Sequence, residues 1–137
     1  MRLQVACDFT AIREAQKHIR DWLARQGVPE VELAAWDFVL IEVGNNAVKH
    51  AIPSARSQPV ELEVFLGEAE IEARITDHTA GFDLPATVEL PDVESESGRG
   101  LFLVKSLTDH AAYFRGADAN TFLLHKHRMT AARSKPN

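Results

Sequence analysis

The stretch Ile41-Glu42-Val43-Gly44-Asn45-Asn46-Ala47-Val48-Lys49-His50 decides how this chain is read. Its four-residue spacing puts Glu42 and Asn46 on one face of a helix, about one turn apart. The apolar run Phe38-Val39-Leu40-Ile41 leads into Glu42. Leu33, Trp36, Val39, Leu40, Val43 and Ala47 recur as a buried stripe, predicting a long helix from Val31 to about Ala51 that Pro53 ends. A carboxylate edging into a half-buried site can act as a base on a reacting hydroxyl. An amide oxygen is a hard, neutral donor suited to Mg²⁺, which keeps waters and phosphates around it. Lys49 and His50, one turn further on, are within reach of a phosphate. Taken alone, the decapeptide also describes the polar face of an ordinary amphipathic helix.

Upstream, Leu3, Val5 and Cys7 alternate with Arg2, Gln4 and Ala6, the pattern of a strand. Asp8 or Thr10 can cap a helix whose apolar positions are Ile12, Ala15, Ile19, Trp22 and Leu23, with Gly27 as its stop and Pro29 opening the next element. Downstream, residues 60–66 and 70–76 alternate on either side of a Gly67-Glu68 turn and predict an antiparallel hairpin. The segment from Asp77 to Arg99 has little periodicity, which at this length marks a functional loop. Residues 100–108 resume a helical pattern, and 110–115 with 120–127 form a last strand pair around Gly116-Ala117-Asp118. The order β-α-α-β-β-loop-α-β-β predicts a two-layer α+β sandwich, helices on one face of the sheet.

Two further motifs bear on the helix of Glu42. Asp77-His78-Thr79-Ala80-Gly81-Phe82-Asp83 directly follows a strand, so Asp77 can stand in a pocket mouth and accept a hydrogen bond from an adenine amino group. Gly81 would let the backbone approach a ligand closely. Ser97-Gly98-Arg99-Gly100-Leu101 opens a helix, where free backbone amides can cradle phosphate and Arg99 adds a fixed charge. Neither a GxxxxGK[ST] loop nor a dinucleotide fingerprint is present.

The 137 residues make one domain of ordinary composition, 45% hydrophobic and 26% charged. A net charge of −5, from 15 basic and 20 acidic residues, argues against a nucleic-acid binder. One cysteine, Cys7, allows no internal disulfide and reads as a small buried apolar residue in a reducing cytoplasm. No stretch approaches the roughly 18 apolar residues of a membrane span. The polar end, about 130–137, is expected to fray.

Together the three motifs resemble the GHKL (Bergerat-fold) ATPases, and among them the small RsbW-type anti-sigma factor serine/threonine kinases. Glu42, Asn46 and His50 match the family's N box. Asp77, Gly81 and Phe82 match the G1 box, of the form DxGxGF, although Thr79 replaces its first glycine. Residues 97–104 match the G2 box, and Thr121 best matches the threonine that backs the adenine pocket. The resemblance spans about residues 3–127, one histidine-kinase-like ATPase domain over 1–137 with a mixed, mostly antiparallel sheet.

This resemblance implies that Mg-ATP sits beneath a mobile lid at roughly 84–99. Asp77 reads adenine, Asn46 holds Mg²⁺, the amides around Gly98–Leu101 hold phosphates, and Arg99 adds its charge there. Glu42 takes a proton from a serine or threonine of a STAS-domain anti-anti-sigma partner. A sigma factor or another regulator is the implied second target, and homodimers are usual in the family. The first helix, with Arg13, Arg20 and Trp22, is the expected docking surface, and Glu94-Ser95-Glu96 fits a solvated lid. The rival readings are a nucleotide-gated binding module with little catalysis and a stand-alone histidine-kinase catalytic domain.

Overall fold

A computed structural model describes residues 1–51, 57–78 and 96–129, with the side chains of 96–98 excepted. Along the chain run β1 (Arg2–Val5), α1 (Phe9–Arg25), α2 (Glu30–Lys49), β2 (Val60–Leu66), β3 (Glu70–Asp77), α3 (Glu96–Leu107), β4 (His110–Arg115) and β5 (Asn120–His127). The strands form one sheet in the order β1-β2-β3-β5-β4, and every neighbouring pair is antiparallel. This is the α+β architecture expected, although the described sheet is wholly antiparallel rather than mixed.

Local signals account for most boundaries. Asp8 accepts a hydrogen bond from the Ala11 amide at 2.7 Å and caps α1. Gly27, at φ +91°, takes the left-handed conformation that lets the chain leave α1 and turn into α2. Alternation then sorts the strands by face: Val60, Leu62, Val64, Ile71, Ala73, Ile75, Phe122 and Leu124 are buried. They meet Ile12, Ile19 and Leu23 of α1 and Trp36, Val39, Leu40 and Val43 of α2 in one core. Truncating a residue such as Leu40 to alanine there costs about 2–5 kcal/mol.

The two long helices cross closely. A Cβ added at Gly44 would stand 2.6 Å from Cγ2 of the fully buried Ile12, so this glycine is a packing requirement. Polar ties reinforce the crossing: Gln16 and Arg20 of α1 both donate to Asp37, and Arg20 also pairs with Glu30. At the far end of the chain, the Met129 amide donates to the buried Glu32 carboxylate at 2.6 Å, pinning the exit from β5 to the start of α2.

Two expectations change. The last helix begins by Glu96, ahead of the helical pattern read from Gly100, so the end of the predicted lid, Glu96 and residues 97–99, is helical. Residues 96–99 offer no apolar period and two glycines nearby weaken helix propensity, but packing of α3 on α2 overrides that preference. Arg20 is occupied holding α1 to α2, and Trp22 is half-buried against the core, so neither presents an open docking surface. Pro53, the remainder of the predicted lid and the tail 130–137 lie outside the described residues. No described helix is long and apolar enough to cross a membrane.

Candidate functional site

The last two turns of α2 carry the site's oxygen donors. Asn46 is buried, 6% exposed, and Glu42 is half-buried one turn before it. Both face away from the Gly44–Ile12 crossing, which fixes the rotation of α2 and hence the direction in which this face points. Lys49 ends the helix and His50 caps it, its amide donating to the Asn46 carbonyl at 3.0 Å; both side chains are exposed.

Helix α3 lies directly on Glu42. A Cβ at Gly100 would fall 2.0 Å from Glu42 Oε2, 2.5 Å from Cδ and 3.2 Å from Cγ. Gly100 is therefore the point at which the α3 backbone approaches the carboxylate, and it is buried. Because α3 starts by Glu96, helical geometry directs the Gly100 amide to the Glu96 carbonyl. The amides left free for a phosphate are those of the first turn, ending at Gly98, rather than the run Gly98–Leu101. Arg99 is half-buried, as is Leu101, which packs against the core.

The third component stands at the end of β3, which α2 also packs against. Asp77 is 6% exposed and accepts a hydrogen bond from Asn120 Nδ2 at 3.1 Å; Asn120 itself is 2% exposed. Register places Asp77 opposite Asn120 and Thr76 opposite Thr121. Thr121 therefore belongs to the sheet face away from the helices, where its hydroxyl lies 3.1 Å from that of Thr76. The side chain that accompanies Asp77 on the helix side is Asn120, which motif reading passed over. His78 continues the corner, its Nδ1 meeting the Asp118 carbonyl of the β4–β5 turn at 3.1 Å. Thr79, Gly81 and Phe82 lie outside the described residues.

The structure thus gathers Glu42, Asn46 and Gly100 where α2 meets α3, and pairs Asp77 with Asn120 at the end of the sheet. The donors are hard oxygens with an amide neighbour and a carboxylate, a set that fits a magnesium-bound polyphosphate. An open apolar groove, which sequence patterning did not reveal, runs along the outer side of the same helices. Val31, Ala34, Ala35, Phe38, Leu103 and Leu107 line it.

Residues 5–126 match the family described as the histidine kinase-like ATPase domain, and the chain belongs to that family. A nucleotide site is what membership implies. The fold is similar to that of the RsbU and RsbW domains of Rv1364c from Mycobacterium tuberculosis. That match has a TM-score of 0.73 and 19% identity, covering 93% of this chain and 32% of that one. It is also similar to the SiaB-SiaC complex from Pseudomonas aeruginosa, with a TM-score of 0.65 and 14% identity, over 93% of this chain and 89% of that one. The chain spans about a third of the length of the first of these structures.

Proposed function

We propose that this chain, a single ATPase domain over residues 1–137, is an RsbW-type serine/threonine kinase and anti-sigma regulator. Its substrate is a hydroxyl on a STAS-domain anti-anti-sigma partner. The observation that carries this reading is the half-buried Glu42 carboxylate held between Asn46, one turn away on the same helix, and the bare backbone of Gly100. A module that only bound nucleotide would have no use for a carboxylate kept at that point.

Asn46 would hold Mg²⁺ and Asp77, supported by Asn120, would read the adenine amino group. Bound Mg-ATP supplies the phosphoryl group and the charge neutralisation that its transfer requires. Arg99, Lys49 and His50 would border the phosphates. Glu42 accepts the proton of the attacking serine or threonine hydroxyl as its oxygen bonds to phosphorus and ADP departs. The base contributes a modest share, since phosphoryl transfer depends chiefly on positioning and charge. The phosphate added to the partner carries about two negative charges and would release it by like-charge repulsion at the interface. The freed kinase, as a homodimer, would then bind a sigma factor or other regulator in the cytoplasm.

The test is incubation with Mg-ATP and the STAS-domain protein of the same pathway. Acid-stable phosphoserine or phosphothreonine on the partner, lost with Glu42→Ala while ATP binding persists, is expected. Acid-labile phosphohistidine would indicate a histidine-kinase domain instead, and no transfer at all would leave only a nucleotide-gated binding module.

A further inference from the structure

Three of the six histidines in the chain, His110, His125 and His127, gather at one end of the β4–β5 pair. Donor atoms of Asp109, His125 and His127 all lie within 4.8 Å of one another. The His125 and His127 rings are 5.2 Å apart and nearly perpendicular. Asp109 is fixed by two backbone bonds: its amide donates to the His125 carbonyl at 2.9 Å, and its Oδ2 accepts from the His127 amide at 2.6 Å. On the neighbouring strand, the Glu70 carboxylate contacts Nε2 of His125.

We infer that Asp109, His125 and His127 form a zinc site, with Glu70 orienting His125. Two imidazoles and a carboxylate are a donor set that zinc takes readily, whereas magnesium and calcium prefer oxygen alone. Zinc holds such donors at about 2.0–2.2 Å, hence about 3.3 Å apart around a tetrahedral ion. Closing from 4.8 Å needs only side-chain rotation, because the backbone already brings the three residues together. Ligating histidines characteristically keep a carboxylate on the ring, and Glu70 is placed for that. The alternative is that these are simple cross-strand pairs, worth little on an exposed surface.

This site is separate from the nucleotide site. Along β5, His127 is seven residues from Asn120, roughly 23 Å at the rise of a strand. Strand parity also puts His125 and His127 on the sheet face opposite Asn120. Asp109 lies in the connection from α3 to β4, so the ion would staple that corner to the end of β5.

The experiment uses the full chain without a histidine tag, titrated with zinc against a chromophoric chelator, with melting followed in parallel. One equivalent is expected to bind and raise the melting temperature, and excess magnesium should not displace it. Cobalt in place of zinc should give the visible bands of nitrogen and oxygen ligation without a thiolate band. His125→Ala and His127→Ala should each abolish stoichiometric binding while keeping the wild-type circular dichroism. Glu70→Gln should weaken it by about 10–100-fold. Asn46→Ala should leave it unchanged. No binding by the wild type would overturn the inference, as would binding that survives both histidine substitutions or disappears with Cys7→Ser.

Discussion

Gly100→Ala separates the stability of this protein from its chemistry. Alanine in a helix is favoured over glycine by about 1 kcal/mol. Against that gain stands the new methyl, 2.0 Å from Glu42 Oε2 and 2.5 Å from Cδ. Ordinary contact needs about 3.5 Å, so the carboxylate must retreat by about 1.5 Å. Glu42 can do so by turning its side chain, at about 0.5–1.5 kcal/mol for a strained rotamer. The two effects nearly cancel, and denaturant unfolding should place the variant within about 1 kcal/mol of wild type. Transfer should respond quite differently, since a displacement of about 1 Å in a reacting group can cost 10²-fold. The assay is single-turnover phosphorylation of the proposed STAS-domain partner, with ATP affinity measured by calorimetry. A roughly 10²-fold slower transfer with nearly unchanged affinity is expected. A double-mutant cycle sharpens the point. In a Glu42→Ala background nothing remains to be displaced, so Gly100→Ala should stabilise by its full ~1 kcal/mol. Wild-type transfer by a folded Gly100→Ala variant would refute the reasoning.

Asn120→Ala should leave the buried Asp77 carboxylate without its amide donor, cost about 1–3 kcal/mol in chemical unfolding, and weaken ATP binding. Thr121→Ala, on the other sheet face, should leave ATP affinity unaltered in the same titration. Gly44→Ala drives a methyl into Ile12, and overpacking of about 1–3 kcal/mol should outweigh the helix gain, giving a net loss of up to about 2 kcal/mol by urea unfolding. Asp109 and Glu70 are both held below the usual carboxylate range. The His127 amide is the chief cause for Asp109, and the His125 hydrogen bond for Glu70. Folding therefore favours their charged forms. That stabilisation is complete above about pH 5, beyond both ordinary values, and fades as pH falls through the lowered ones. Unfolding followed from pH 5 downward should show a shallower acid loss in Asp109→Asn than in wild type.

Strand limits were legible because alternation in residues such as Val60, Leu62 and Val64 repeats at the period of the pleat. The cap at Asp8 and the stop at Gly27 were legible because each is local chemistry. The start of α3 was not, since residues 96–99 carry no apolar period of their own, and the helix they open packs as a whole on α2. The choice between Thr121 and Asn120 was hidden for a different reason. A threonine motif names a residue, whereas the face it occupies depends on register with β3, and one position reverses the face. Arg20 appeared available because exposure on a helical wheel says nothing of Asp37 and Glu30 arriving from another helix. The contact of Gly100 with Glu42 joins residues 58 positions apart and has no signal in either segment alone.

The sheet order has a consequence for biosynthesis. The last of the described strands along the chain, β5, does not sit at an edge but between β3 and β4. While the ribosome is still making it, β3 has one open flank and β4 has no neighbour at all. Asn120 and the Met129 amide that reaches Glu32 arrive together with this strand. A nascent chain can therefore collapse its helices early but cannot complete the Asp77 corner until β5 is released. Competence to hold nucleotide should therefore lag behind helix formation and appear only once β5 has emerged, and chains cut short before β5 should expose an unpaired strand that invites association with one another.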